Sequence, residues 1–225
     1  MKQILYTSKR TPKMQTKEQT MKKETSPQSF DRIVREVFAP IYPVIAGQII
    51  AKSGIVSGKC LDVGCGTGAL GRAIAKITDL EITFFDRSEE MLELAKGYAN
   101  DENIANRCDF LQGDIHSIGL PSGSMDIVIS RGSSPFWDDW RQAYSEIIRI
   151  LKKGGMAYIG GGFGNAELRE QITRTMTQNN PDWRKSFKDK VVAEREALPD
   201  ILRSLKPSHF EIINDDSGFW SVITK

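Results

Sequence analysis

Cys60-Leu-Asp-Val-Gly-Cys-Gly-Thr-Gly-Ala-Leu-Gly71 sets four glycines behind a short apolar run. Two registers read this stretch differently. Gly66, Gly68 and Gly71 spell the G-x-G-x-x-G of a dinucleotide site. Gly64, Gly66 and Gly68, led by Asp62, spell another loop. In both, Lys59-Cys-Leu-Asp-Val is a strand, the glycines are its exit, and a helix follows from about Ala69 to Ile77.

Working outward, strands and helices alternate. Glu81–Asp86, Cys108–Asp114, Met125–Ser130 and Gly155–Gly161 read as strands two to five. A helix through Tyr98 starts after Ser88, a plausible N-cap followed by Glu89 and Glu90. Another spans Trp140–Leu151 and stops at Gly154-Gly155. This rhythm implies right-handed crossovers and an α/β, Rossmann-like, doubly wound and mostly parallel sheet. Two helices, Glu167–Asn179 and Lys188–Leu205, precede a C-terminal hairpin, His209–Asn214 and Gly218–Thr224, which would close a seven-stranded sheet with an antiparallel edge. Upstream, apolar residues from Phe30 to Ile50 recur at helical spacing, interrupted by Pro40 and Pro43. They predict two helical pieces with a kink, an N-terminal lid over residues 26–50 within a domain spanning 26–225.

Carboxylates separate the registers. Ligands of a doubly wound sheet sit beyond the carboxyl ends of its strands. Asp62 there would repel a pyrophosphate and would suit the ammonium or sulfonium of S-adenosylmethionine. Asp86, 22 residues after Gly64, can accept both hydroxyls of a ribose in either cofactor. Asp114 is placed to accept from an adenine amino group while the Ile115 N–H donates to the ring. Three strand-ending carboxylates fit an amine, a diol and an adenine, so the dinucleotide register, and with it a nicotinamide oxidoreductase, loses.

With these residues in place the chain resembles the class I S-adenosylmethionine-dependent methyltransferases from about Phe30 onward. The resemblance rests on LDVGCGTG, FFDRSEEML, GDIHSIGLP, MDIVISRG and ILKKGGMAYI in the family's order. It implies an enzyme that uses S-adenosylmethionine and releases S-adenosylhomocysteine. Gly64, Gly66 and Gly68 would let the backbone pass close under the donor, and Asp62 would face its ammonium. Asp86 would hold the ribose, Arg87 and Met91 flank the adenine, and Ser130 lie near the methionine portion. The post-strand sequence is Ser130-Arg-Gly-Ser, where amino-methylating enzymes of nucleic acid or protein glutamine commonly show Asn-Pro-Pro-Tyr.

The acceptor end is less legible. Phe38 and Tyr42 resemble lid residues of small-molecule methyltransferases. Arg131 suits a substrate carboxylate or phosphate through its planar fork, or an ion pair with a neighbouring acid. Trp137 is read as a pocket wall and Trp140 as core. Gly160-Gly-Gly permits a close backbone approach or a flexible turn. His116 and Tyr42 are candidate bases and His209 a structural residue. No dedicated base is required, because the donor is already activated.

Charge narrows the partners. The chain carries +2 overall, but seven basic residues against two acidic ones give residues 1–25 a charge of +5 and leave the rest at −3. A disordered basic tail is expected over 1–25, on a mildly acidic body that makes nucleic acid an unlikely substrate. Three cysteines without metal-ligand spacing indicate free thiols, no metal site and a cytoplasmic protein. No apolar run is long enough to cross a bilayer. A small-molecule acceptor is expected first. RNA or protein methylation, with the tail as a docking arm, and a non-catalytic donor-binding protein are the alternatives. Neither the acceptor atom nor the oligomeric state can be read.

Overall fold

The computed structural model describes residues 26–183 and 188–225, so the basic tail lies outside the described residues. The chain runs α1 (Pro27–Ile33), a π-helical turn (Val34–Phe38), α2 (Ile41–Ser53), β1 (Ser57–Val63), α3 (Ala69–Ala75), β2 (Asp79–Asp86), α4 (Glu89–Asp101) and β3 (Cys108–Gln112). It continues through β4 (Met125–Arg131), α5 (Trp140–Ile150), β5 (Leu151–Gly162), α6 (Ala166–Asn179), α7 (Lys188–Leu205), β6 (His209–Asp215) and β7 (Gly218–Thr224). The sheet order is β3-β2-β1-β4-β5-β7-β6. β1 to β5 pair in parallel, and β7 lies antiparallel to both β5 and β6. The order reverses between β1 and β4, which is where such a sheet opens a crevice for ligands.

Strand alternation sends successive residues to opposite faces, and the core divides accordingly. Cys60, Ile82, Phe84, Ile127 and Ile129 join Ile41, Ile45 and Ile49 of α2 and Leu70 and Ile74 of α3 in one cluster. Leu61, Val63, Phe85 and Val128 join Ala143, Tyr144 and Ile147 of α5 and Leu198 and Leu202 of α7 in the other. Trp137 belongs to this second cluster. It is 4% exposed and packs edge-on against Trp140 and Tyr144. It is therefore a core residue, not the pocket wall expected, because the turn after β4 folds back under α5.

Caps explain several boundaries. Ser88 Oγ accepts the Met91 N–H at 3.3 Å, as its position predicts, and Asp139 does the same for Gln142 at 2.9 Å. The proline-interrupted helices are bent by 76°. α1 is tied down by Asp31, which is 6% exposed, receives the Tyr98 hydroxyl of α4 at 2.8 Å and pairs with Arg35. Gln48 of α2 donates to the Gly164 carbonyl at 2.7 Å.

Two strand boundaries differ from expectation. β3 stops at Gln112, so Asp114 lies in the turn beyond, although the Gly113 N–H still reaches the Asp86 carbonyl. β5 begins four residues early, at Leu151, past a register shift opposite Met125 and Ile127. The glycine run within it serves the sheet itself. A Cβ on Gly160 would sit 2.1 Å from the Phe219 carbonyl oxygen, and one on Gly162 2.0 Å from that of Ser217. The expected close approach is real, but it is to β7.

Candidate active site

The loop after β1 turns through three left-handed residues, Gly64 (φ 61°), Gly66 (φ 54°) and Gly68 (φ 74°), which side chains rarely tolerate. Gly71 is an ordinary α3 residue, where a Cβ would meet the Phe84 ring at 2.6 Å. Two carboxylates hold the loop open. Asp86 Oδ2 accepts the Gly66 N–H at 2.8 Å, and its Oδ1 accepts the Ser88 N–H at 2.9 Å. Asp62, 2% exposed, accepts the Gly71 N–H at 2.9 Å through Oδ2. Its Oδ1 has no hydrogen-bond partner among the described residues. Burial, opposed in part by the Gly71 N–H, pushes the Asp62 carboxyl up to about 7.

The N-terminal lid was expected, but two contacts on the loop were not. A Cβ on Gly64 would lie 2.3 Å from Ser133 Cβ, and one on Gly66 3.2 Å from the Phe30 ring. The turn after β4 and helix α1 thus press on the glycine loop from two sides. Ser130, expected near the methionine portion of the donor, is wholly buried. Its hydroxyl meets that of Ser133 at 2.6 Å, and Ser133 in turn donates to the Val63 carbonyl at 3.3 Å. Ser130 therefore braces the residue that covers the loop.

Beyond β3, Asp114 Oδ1 accepts both the His116 N–H at 2.8 Å and His116 Nδ1 at 2.6 Å. The His116 backbone contact draws the Asp114 carboxyl below its ordinary range. His116 Nε2 accepts the Asp139 N–H at 3.1 Å, so its tautomer carries the proton on Nδ1. Both nitrogens are committed, and His116 ties this turn to the start of α5. The expectation that it serves as a base is corrected. Ile115 is buried in the second core cluster. Arg87 is exposed and Met91 half-buried at the rim, with the Arg87 carbonyl receiving Gln112 Nε2 at 3.1 Å.

At the end of β4, Arg131 enters a ring of aromatics. Its guanidinium lies 4.9 Å from the Phe38 centroid, 5.6 Å from Tyr42 and 5.8 Å from Phe163. Nε donates to the Gly162 carbonyl at 3.1 Å, and the Tyr42 hydroxyl is a further neutral partner. No carboxylate pairs with it among the described residues, which disposes of the ion-pair reading. Burial lowers the Arg131 pKa and raises that of Tyr42. The structure thus brings Phe38, Tyr42 and Arg131 together, adds Phe163, and leaves Trp137 out.

Residues 61–159 match the family described as Methyltransferase domain. A protein of Methanococcus maripaludis, assigned in its crystal structure to the S-adenosyl-L-methionine-dependent methyltransferases, shares 43% identity and superposes with a TM-score of 0.84, covering 88% of this chain and 91% of that one. The chain belongs to the S-adenosylmethionine-dependent methyltransferases. S-adenosylmethionine is accordingly its cofactor. The sterol 24-C-methyltransferase ERG6A of Gibberella zeae is 38% identical over 112 residues, which is 50% of this chain and 29% of that protein. The corresponding enzyme of Aspergillus fumigatus is 32% identical over 150 residues, 65% of this chain and 38% of its own length. The chain therefore spans about a third of the curated relatives it matches.

The donor set suits the cofactor of this methyltransferase family. The left-handed glycines leave positions 64, 66 and 68 without side chains, and Asp86 keeps a second lone pair on each oxygen. Within the loop, Thr67 Oγ1 is buried with no hydrogen-bond partner among the described residues, an orphaned polar atom of the kind a polar ligand would satisfy. Phe30, Ser133 and Phe163 were missed by sequence reasoning. Phe163 had a signal, since it directly follows the glycine run, whereas Phe30 and Ser133 approach the loop only through the fold.

Proposed function

We propose that the chain transfers a methyl group from S-adenosylmethionine to a small-molecule acceptor held beneath α1 and α2. The observation that carries this reading is the left-handed Gly64–Gly68 loop fastened to Asp86 at the switch point of the sheet. When bound, the cofactor supplies a methyl group on a sulfonium and needs no further activation. The chain's own task is positioning. Gly64, Gly66 and Gly68 form the floor, Asp86 takes the ribose hydroxyls and the open Oδ1 of Asp62 takes the ammonium. Asp114 and Ile115 read the adenine, between Arg87 and Met91. Phe38 and Tyr42 roof the acceptor side and exclude water. Holding two reactants in line can lower a barrier by ~7–11 kcal/mol, so alignment can carry much of the rate.

Calorimetry with S-adenosylmethionine, S-adenosylhomocysteine and NAD tests this. Binding of the first two and none of NAD is expected, and binding of NAD alone would sink the proposal. Asp86→Ala should weaken both ligands roughly 10- to 150-fold, the worth of ~1.5–3 kcal/mol in hydrogen bonds to a charged acceptor. An unchanged affinity in a folded variant would remove Asp86 from the ribose. Turnover that survives deletion of residues 1–25 would favour a small acceptor over a docked macromolecule. The names of relatives matched over a minor part of their length introduce a sterol as one candidate; a sterol carries no charge, so the charge of the acceptor separates it from an anionic one.

A further inference from the structure

We infer that the methyl acceptor carries an anionic headgroup, a carboxylate or a phosphate, which Arg131 reads from among the rings of the N-terminal helices and Phe163. The inference rests on the methyltransferase reading and adds the acceptor's charge. Arg131 ends β4, opposite Gly160 in register, and the next residue, Gly132, donates to the Gly160 carbonyl at 2.7 Å. One residue further, Ser133 lies against the floor glycine Gly64. The guanidinium is thus tied by a short, rigid connection to the donor loop. It is enclosed by Phe38, Tyr42 and Phe163, its Nε donates to the neutral Gly162 carbonyl, and among the described residues no carboxylate pairs with it.

Arg131 is half-buried, with its guanidinium set among three rings; a cation so enclosed without a counter-charge is costly, and cation–π contacts at these distances return less than desolvation takes. If Arg131 served only to pin the lid helices to the sheet, a neutral side chain of similar length would pack there with less penalty. An incoming anion removes the imbalance. It would meet a planar fork suited to two parallel hydrogen bonds and, in Tyr42, a phenol that burial keeps protonated and able to donate. Phe38 and Tyr42 belong to the N-terminal helices, so the same anion would hold the roof against the floor.

The test uses the full chain saturated with S-adenosylhomocysteine, titrated calorimetrically with acetate, benzoate and inorganic phosphate and with the neutral amides acetamide and benzamide. At least one anion should bind, at roughly tenfold or more the affinity of the amides. Arg131→Gln should lose that binding by a similar factor while its S-adenosylhomocysteine affinity stays at the wild-type value and its urea midpoint is no lower than that of the wild type. Arg131→Lys keeps the charge without the fork, and should lose carboxylate binding while retaining part of any phosphate binding. Carboxylates alone, or phosphate alone, would name the headgroup. Amides binding as well as anions, anions binding Arg131→Gln unchanged, or no probe binding at all would overturn the inference and leave the donor reading standing. Failure of the wild-type chain to bind S-adenosylhomocysteine would remove both.

Discussion

Asp62→Asn is expected to unfold at a higher urea concentration than the parent protein at pH 8 and to lose most of the parent's pH dependence. Asp62 is 2% exposed, and burial holds its carboxyl at about 7 against an ordinary value of 3.8. Between those values the folded chain keeps a proton that the unfolded chain has released. Stability from this group is therefore fully present below about pH 4, falls as pH rises toward 7 and levels off above. The charged form costs the native state on the order of 2–4 kcal/mol at pH 8. Asparagine removes that charge, and its amide oxygen can still accept the Gly71 N–H. Its amide hydrogens, left without a partner, give some of the gain back. Urea titrations at pH 5 and pH 8 check the sign, and equal slopes for the two proteins would refute it.

The same substitution should weaken S-adenosylmethionine binding, because the charge that costs the loop stability is the one that would meet an ammonium. Binding should also release protons near pH 7, visible as a calorimetric enthalpy that varies with the ionisation heat of the buffer.

Gly160→Ala is expected to destabilise the chain by about 3 kcal/mol, at the upper end of overpacking costs. The new methyl would stand 2.1 Å from the Phe219 carbonyl oxygen and 2.9 Å from Trp220 Cα. These are backbone atoms of a paired strand, so no rotamer change relieves the contact. Gly161→Ala is the internal control. Its nearest neighbour would be Gly132 Cα at 3.9 Å, an ordinary van der Waals distance, and its urea midpoint should move little. Similar midpoints for the two variants would show that β7 yields more easily than its pairing suggests. A loss confined to Gly160→Ala would confirm that these glycines seat the C-terminal hairpin.

The sheet was legible because local signals agreed with one another. Period-two apolar strands, a capped α4 and glycines at strand exits each pointed to the same alternation. Asp86 was legible for the same reason, since a carboxylate ending a second strand has a defined place in this architecture. What failed was what side chains do after the chain folds. A tryptophan beside a functional loop looks the same in sequence whether it lines a pocket or packs under a helix, and Trp137 packs. His116 sits one turn from the expected adenine site, but its role depends on the Asp139 N–H, 23 residues away. Spacing cannot reveal that partner. Arg131 was visible as an oddity at the strand edge, while the absence of an acid beside it became readable only in three dimensions.

The stretch shared with the methyltransferase family, residues 61–159, contains the glycine floor, Asp86, Asp114 and Arg131. The rings enclosing Arg131 fall outside it, with Phe38 and Tyr42 before and Phe163 after. Floor and roof thus come from separate stretches of one chain. Exchanging the two flanking segments while Arg131 and the donor loop stay in place would therefore separate the roof's share in acceptor choice from that of the guanidinium.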